Sequence, residues 1–232
     1  MITAIVPLKN LDHGKSRLRA ILNPLQRRNL SRAMAHHVCA VLRAHNAIDR
    51  VLLVSSDHAA EELARLLSVE WVNEAALEPI GAGARLNAVL RSAVSLVRIQ
   101  GSRAALIVHA DLPLLTAADI DAACETYLRH GRPVIGADIR GEGTNLLLFD
   151  ASYGGAFAYG EASFERHLQL FPGALALANW RGALDIDTPA DLAELDRRLR
   201  THGAKEKRSD WGSDCCVAGL AIQKAGQERS PL

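Results

Sequence analysis

Short, unbroken runs of apolar residues at 2–6, 51–54 and 104–108 alternate with longer stretches whose apolar positions recur every three or four residues. The short runs are rich in branched side chains, and the first is stopped by Pro7, which predicts strands buried on both faces. The longer stretches place Leu30, Ala33, Met34, Val38, Val41 and Leu42, then Leu63, Leu66 and Leu67, then Leu86, Val89, Leu90, Val94 and Val97 on single helical faces. Strand and helix in alternation need right-handed crossovers, so the first half predicts an α/β fold with a mostly parallel central sheet covered by helices on both faces. Ligands of such sheets sit beyond the carboxyl ends of the strands.

After a predicted helix at 117–130 the rhythm changes. Segments 133–137, 145–149 and 174–178 are strand-like, with one helical pattern at 163–171 among them. These strands are expected to wall off an acceptor pocket. The last strong helix is expected from Pro189 to about Arg200, with Thr188 as N-cap, Pro189 in the first turn and Asp191 near the positive end of the dipole. The periodicity then stops, which predicts one domain over 1–200 followed by a mobile tail at 201–232.

Composition narrows the function classes. Lys and Arg number 27 against 26 Asp and Glu, a formal charge of +1, so no overall field draws the chain to nucleic acid or an anionic membrane, and any basic site must be local. The hydrophobic share is 49% with only 4% aromatic, which implies a core of Ala, Leu, Val and Ile. Cys39, Cys124, Cys215 and Cys216 form no C-x-x-C pair, and the first two fall within helical patterns as small hydrophobes. No run is long enough to cross a bilayer. The expectation is a soluble, unprocessed cytoplasmic protein.

The chemistry-bearing residues gather in three places. In the run 184–192, alternation along an extended segment aims Asp185 and Asp187 at one side. Capping accounts for Thr188, Pro189 and Asp191 but leaves those two carboxylates unexplained. Asp111 closes the apolar run before it, and three carboxylates at strand ends are a hard-oxygen set suited to magnesium on a phosphate substrate. Alone, Asp111 reads equally well as a turn residue before Pro113. The first loop carries Lys9, Lys15 and Arg17, the composition of a polyphosphate clamp. A P-loop is excluded because Lys9 stands where its first glycine belongs. A solvated basic helix start is the plain alternative. In the second half, the hydroxyls of Thr144 and Ser163 with the amides of Gly160 and Ser163 suit a carboxylate or phosphate, although Ser163 as an N-cap and Gly160 as a turn would explain them too. Arg166 and His167 are weaker contact candidates. His36, His37, His58 and His109 show no zinc-ligand spacing with cysteine.

Taken in order, Pro7-Leu8-Lys9, Lys15-Ser16-Arg17-Leu18, Leu86-Asn87, 110–115, 143–147, Tyr159-Gly160 with Ser163-Phe164 and His167, and 185–189 resemble the CofC/FbiD family, the guanylyltransferases of coenzyme F420 biosynthesis. The resemblance spans roughly residues 2 to 200. It implies a Rossmann-like, GT-A-like nucleotidyltransferase fold and transfer of GMP from GTP to 2-phospholactate, phosphoenolpyruvate or 3-phosphoglycerate, with release of diphosphate. It further implies magnesium on Asp111, Asp185 and Asp187; an acceptor site of Lys9, Thr144, Gly160 and Ser163; nucleotide contacts from Lys15, Asn87 and Asp111; catalytic cations Lys9, Lys15 and Arg17; and a functional link to the F420 transferase that takes the product. Pairing into a homodimer stays open. Arg85 departs from the pattern, since the family often carries glycine there. A molybdenum-cofactor or sugar-phosphate nucleotidyltransferase is the neighbouring reading, against which the Lys9-Asn10 loop argues; a noncatalytic nucleotide-binding module is the reading from another class.

Overall fold

A computed structural model describes residues 1–77, 84–178 and 180–202. Among them, seven strands form one sheet: β1 (Ile2–Pro7), β2 (Arg50–Ser55), β3 (Glu70–Asn73), β4 (Ala104–Val108), β5 (Val134–Ala137), β6 (Thr144–Asp150) and β7 (Leu175–Ala176). Six helices connect them: α1 (Pro24–Ala44), α2 (His58–Leu67), α3 (Arg85–Ile99), α4 (Ala117–His130), α5 (Ser163–Leu170) and α6 (Pro189–His202). The strand order is β3-β2-β1-β4-β6-β5-β7. β1, β2, β3 and β4 run parallel, β6 is antiparallel to both β4 and β5, and β7 is parallel to β5.

This order places the site. From β1 the chain builds outward to β2 and β3, then returns to lay β4 on the other side of β1. The crevice beyond β1 and β4 is therefore the switch point where such sheets bind ligands. Because β6 is reversed, its first residue lands at the same sheet edge as the last residues of β4: Val108 pairs with Leu146, and the His109 N–H donates to the Asn145 carbonyl at 3.0 Å. Asp111 and Thr144, far apart in sequence, share one edge.

Alternation of side chains along the strands feeds two cores. Ala4, Val6, Val51, Leu53, Leu106, Val108, Leu146 and Leu148 pack under α1, α2 and α4. Ile5, Leu52, Val54, Ala105, Ile107, Leu147 and Phe149 pack under α3 and α5. The second core also holds Phe157, Tyr159 and Phe171, with Phe164 packed against it, so the aliphatic core expected from composition has one aromatic side. A third cluster joins Leu18, Leu22, Leu30, Met34, Leu114, Leu184, Ile186 and Leu195, pinning the first loop to the segment that carries Asp185 and Asp187.

Local chemistry sets the helix starts. Asn23 and Gln26 of α1 exchange hydrogen bonds of 2.9 Å in a capping box, with Pro24 in the first turn. Asp57 caps α2 and also accepts from the Leu11 N–H at 2.8 Å, tying the loop after β1 to the end of β2. Thr188 starts α6 as expected: its N–H and Oγ1 donate to Asp191 Oδ2 at 2.7 and 2.9 Å. One strand was not foreseen, and two expectations need correction. β3 gave no apolar run because it is a four-residue edge strand with polar ends, fastened by the Arg50–Glu70 pair. The strand at 174–178 is only two residues long. Asp185 and Asp187 follow a single 3-10 turn (Arg181–Ala183) and lie on an irregular segment instead of ending a strand, although buried Leu184 and Ile186 do alternate with the two carboxylates. Of the tail at 201–232, Thr201 and His202 belong to α6, and the remainder, with Cys215 and Cys216, lies outside the described residues.

Candidate active site

The loop after β1 reaches the site through a turn that costs energy. Leu8 and Leu11 are tethered to β2 and Asp57, and Gly14 leads into Lys15, whose backbone is left-handed at φ 55° and ψ 39°. That conformation costs a non-glycine residue about 1–2 kcal/mol. Lys15 adopts it with its ammonium Nζ 2.6 Å from Asp111 Oδ2 and 2.9 Å from Asp187 Oδ1. The Ile186 N–H donates to the Asp111 carbonyl at 3.2 Å, closing the backbone of the two acidic segments against each other.

The electrostatics of this end are those of crowded charge in a low-dielectric setting. Burial alone would lower Lys15, but the charges of Asp111 and Asp187 outweigh it and raise its pKa. Burial alone would raise Asp111, yet Lys15 holds it below the ordinary carboxylate range. Asp185 has no such cation among the described residues. Burial, with the charges of Asp111, Asp187 and Asp138, pushes it up to about 6 against the pull of its own backbone hydrogen bond. Asp111 Oδ1 is sealed from solvent without a hydrogen bond.

The structure thus brings Asp111 and Asp187 together around one cation, and that cation is the Lys15 ammonium. Among the described residues no three His, Cys, Asp or Glu side chains close up as a metal cage. The oxygen-only donor set, the orphaned Asp111 oxygen and the raised Asp185 suit a hard divalent cation chemically. Gathering all three carboxylates on it would require Lys15 to swing aside. Lys9 and Arg17 are exposed, each without a partner among the described residues.

The second-half residues form a neutral network. The Thr144 N–H donates to Ser163 Oγ at 2.9 Å, and Thr144 Oγ1 lies 2.9 Å from His167 Nδ1. Ser163 is the first residue of α5, while Ala162, at φ 49°, holds the cap position that the turn reading gave to Ser163. Gly160 has φ +128°, a conformation other residues rarely adopt, and faces open space. Asn87, read from the sequence as a nucleotide contact, uses its whole amide on the protein: the Tyr159 N–H donates to Oδ1 at 2.9 Å and Nδ2 donates to the Tyr159 carbonyl at 3.1 Å. It clamps the peptide that presents Gly160. Arg85 pairs with Glu74 at 3.1 Å.

Two side chains were given no role from the sequence, and a third, His167, was only a weak contact candidate. Asp138 is a fourth carboxylate near Asp185. His109 lies between the two ends of the crevice: its ring is 5.2 Å from that of Tyr159, its Nε2 is sealed and unpaired, and it feels the charges of Asp111, Lys15 and Lys9. His167 is fully buried. A histidine two residues before the first acidic motif was the available signal for His109; His167 gave none that separates it from a packing residue.

Residues 2–212 match the family described as "Guanylyl transferase CofC like". A phosphoenolpyruvate guanylyltransferase from Rubrobacter xylanophilus is 38% identical over 199 residues, covering 84% of this chain and 93% of the relative. A 2-phospho-L-lactate guanylyltransferase from Methanothermobacter thermautotrophicus is 30% identical over 197 residues, covering 83% and 82%. Among solved structures, the 4-diphosphocytidyl-2C-methyl-D-erythritol synthase of Anaerococcus prevotii superposes with a TM-score of 0.58 at 12% identity, over 86% of this chain and 96% of that one, a likeness of fold. With its nucleotidyltransferase sheet and its acidic and basic residues at the switch point, the chain belongs to the CofC-like guanylyl transferase family.

Proposed function

We propose that the chain joins GMP, from GTP, to the phosphate of a small phosphorylated acid for coenzyme F420 biosynthesis, with phosphoenolpyruvate as the leading acceptor and 2-phospho-L-lactate and 3-phospho-D-glycerate as the competitors. Relatives named for phosphoenolpyruvate reach 38% identity, against 30% for a relative named for 2-phospho-L-lactate. The observation that carries the reading is the Lys15 ammonium held by Asp111 and Asp187 at the switch point, beside the neutral Thr144–Ser163 network on the same sheet edge.

Chemically the reaction asks little of a general base, because the attacking phosphate oxygen is already ionised at neutral pH. Charge neutralisation and positioning remain. Lys15, Lys9 and Arg17 would balance the negative charge of the triphosphate and of the departing diphosphate, and Thr144, Ser163 and the Gly160 backbone would orient the acceptor for in-line attack on the α-phosphorus. Magnesium held by Asp111, Asp185 and Asp187 would supply Lewis-acid polarisation of the phosphates. Asn87 contributes by fixing the Tyr159 peptide that leads into Gly160.

The test is incubation with GTP, magnesium and each of the three acids in turn, following diphosphate release and product mass. A GMP adduct formed preferentially with phosphoenolpyruvate supports the proposal. Turnover only with a sugar phosphate, or nucleotide binding without turnover, overturns it.

A further inference from the structure

His167 is fully buried on α5, and the chemistry above leaves it idle. Both ring nitrogens are engaged: the Ala158 N–H lies 3.0 Å from Nε2, and Nδ1 lies 2.9 Å from Thr144 Oγ1. A backbone N–H can only donate, so Nε2 must be the unprotonated nitrogen and the neutral ring carries its one proton on Nδ1. Nδ1 therefore donates to Thr144 Oγ1. The hydroxyl receives a donor from inside the protein, and its own proton has no acceptor among the described residues. Ser163 repeats the arrangement, since its Oγ accepts from the Thr144 N–H at 2.9 Å and its proton is likewise uncommitted. Two adjacent hydroxyls, each supplied with a donor from within, are left to donate. Such a pair matches an anionic oxygen.

We infer that His167 is a positioning residue for acceptor recognition: donation from its Nδ1 commits the Thr144 hydroxyl to donate to the carboxylate or phosphate of the phosphorylated acid. The inference rests on the proposed seat of the acceptor at Thr144, Gly160 and Ser163. The opposite tautomer would set a ring proton against the Ala158 N–H and turn Thr144 into an inward donor, leaving a lone pair toward the anion. The surroundings hold the neutral ring. Tyr159 stands edge-on at 4.5 Å between ring centroids, and burial, with the charges of His109 and Arg166, lowers His167 to about 4. Asn87 clamps Tyr159 from the other side, so ring, hydroxyl and Gly160 turn are held as one unit.

The experiment is steady-state kinetics of the full chain with GTP and phosphoenolpyruvate for Thr144→Val, His167→Leu and His167→Asn. Losing one hydrogen bond to an anion corresponds to about tenfold or more. Thr144→Val and His167→Leu are expected to raise the acceptor KM by that factor while the GTP KM stays put. His167→Asn, whose amide nitrogen occupies the place of Nδ1, is expected to recover most of the loss. If Thr144→Val leaves the acceptor KM unchanged, the underlying reading of the pocket fails. If Thr144→Val raises it and His167→Leu does not, or if His167→Leu raises both KM values equally, or if Asn rescues nothing, the inference alone fails. Nitrogen-15 NMR of the unmutated protein gives an answer independent of the variants' folding: a protonated Nδ1 with a bare Nε2 is expected, and a proton on Nε2 overturns the inference.

Discussion

The two ends of the crevice hold their polar groups by different physics. Lys15, Asp111 and Asp187 are charges kept together by opposite sign across 2.6 and 2.9 Å. Thr144, Ser163 and His167 are neutral and kept together by the direction of each donor, within a core that packs all four phenylalanines of the chain. Coulombic attraction is tolerant of position, so a charged end can exchange one cation for another as substrate arrives. A directional network has one arrangement and reads the shape and charge of what it meets. In the proposed function, the charged end would hold the triphosphate and handle charge that changes during the reaction, and the neutral end would select the acceptor.

The charged end should break most sharply. Asp187→Asn is expected to lower turnover by about 100-fold or more, because it removes an oxygen charge that the proposed function gives to the metal, and little apolar area. Its melting temperature should hold within a few degrees, since the Asp187 side chain is 44% exposed and asparagine still accepts from Lys15. Diphosphate release and a thermal melt check both halves, and turnover within threefold of the parent sinks the metal assignment.

At the neutral end the corresponding lever is pH. His167 falls from an ordinary 6.5 to about 4 on folding, so the unfolded chain takes up a proton that the native ring refuses. The contribution is present in full above about 6.5 and is lost as pH falls toward 4, up to about 3–4 kcal/mol at ~1.4 kcal/mol per unit. His37, lowered chiefly by burial, adds in the same direction. Urea melts at stepped pH should show a steeper decline between 6.5 and 4 in the parent than in His167→Leu; equal slopes contradict the buried neutral ring.

Two smaller effects separate cation exchange from backbone geometry. Lys15→Met strands Asp111 beside Asp185 and should cost about 2–3 kcal/mol without divalent metal. Magnesium should then raise its melting temperature more than it raises the parent's, and an equal rise would show that Lys15 and metal do not share a place. Gly160→Ala meets no neighbouring atom, so its cost is the φ of +128° alone, about 1–3 kcal/mol. A melt should show that loss together with a raised acceptor KM; an unchanged melt would contradict the turn.

How much of this was legible follows from the same contrast. Parallel strands buried on both faces read as continuous apolar runs, so β1, β2 and β4 were visible, as were the long amphipathic helices. The edge strand β3 was not, because Glu70 is exposed, Asn73 is only partly buried, and its pairing is decided by β2. Asp111, Asp185, Asp187 and Lys15 stood out because unexplained charge at strand ends and loops is conspicuous. That Lys15 would lie between two of the carboxylates was not visible, since it depends on one left-handed residue. On the neutral side, Thr144, Gly160 and Ser163 were legible as a set suited to an anion, and only the family resemblance named that anion as the acceptor acid. Asn87 and His167 act through hydrogen bonds to backbone and hydroxyl groups 72 and 23 residues away, respectively, and such partners leave no periodicity in a sequence.

The division of labour between the two ends is tested most directly by the KM for the acid at saturating GTP and the KM for GTP at saturating acid, measured together in Arg17→Ala and Thr144→Val. A crossed pattern is expected: Arg17→Ala raises the GTP value and spares the acid, and Thr144→Val raises the acid value and spares GTP. Both variants raising both values by the same factor would contradict the account.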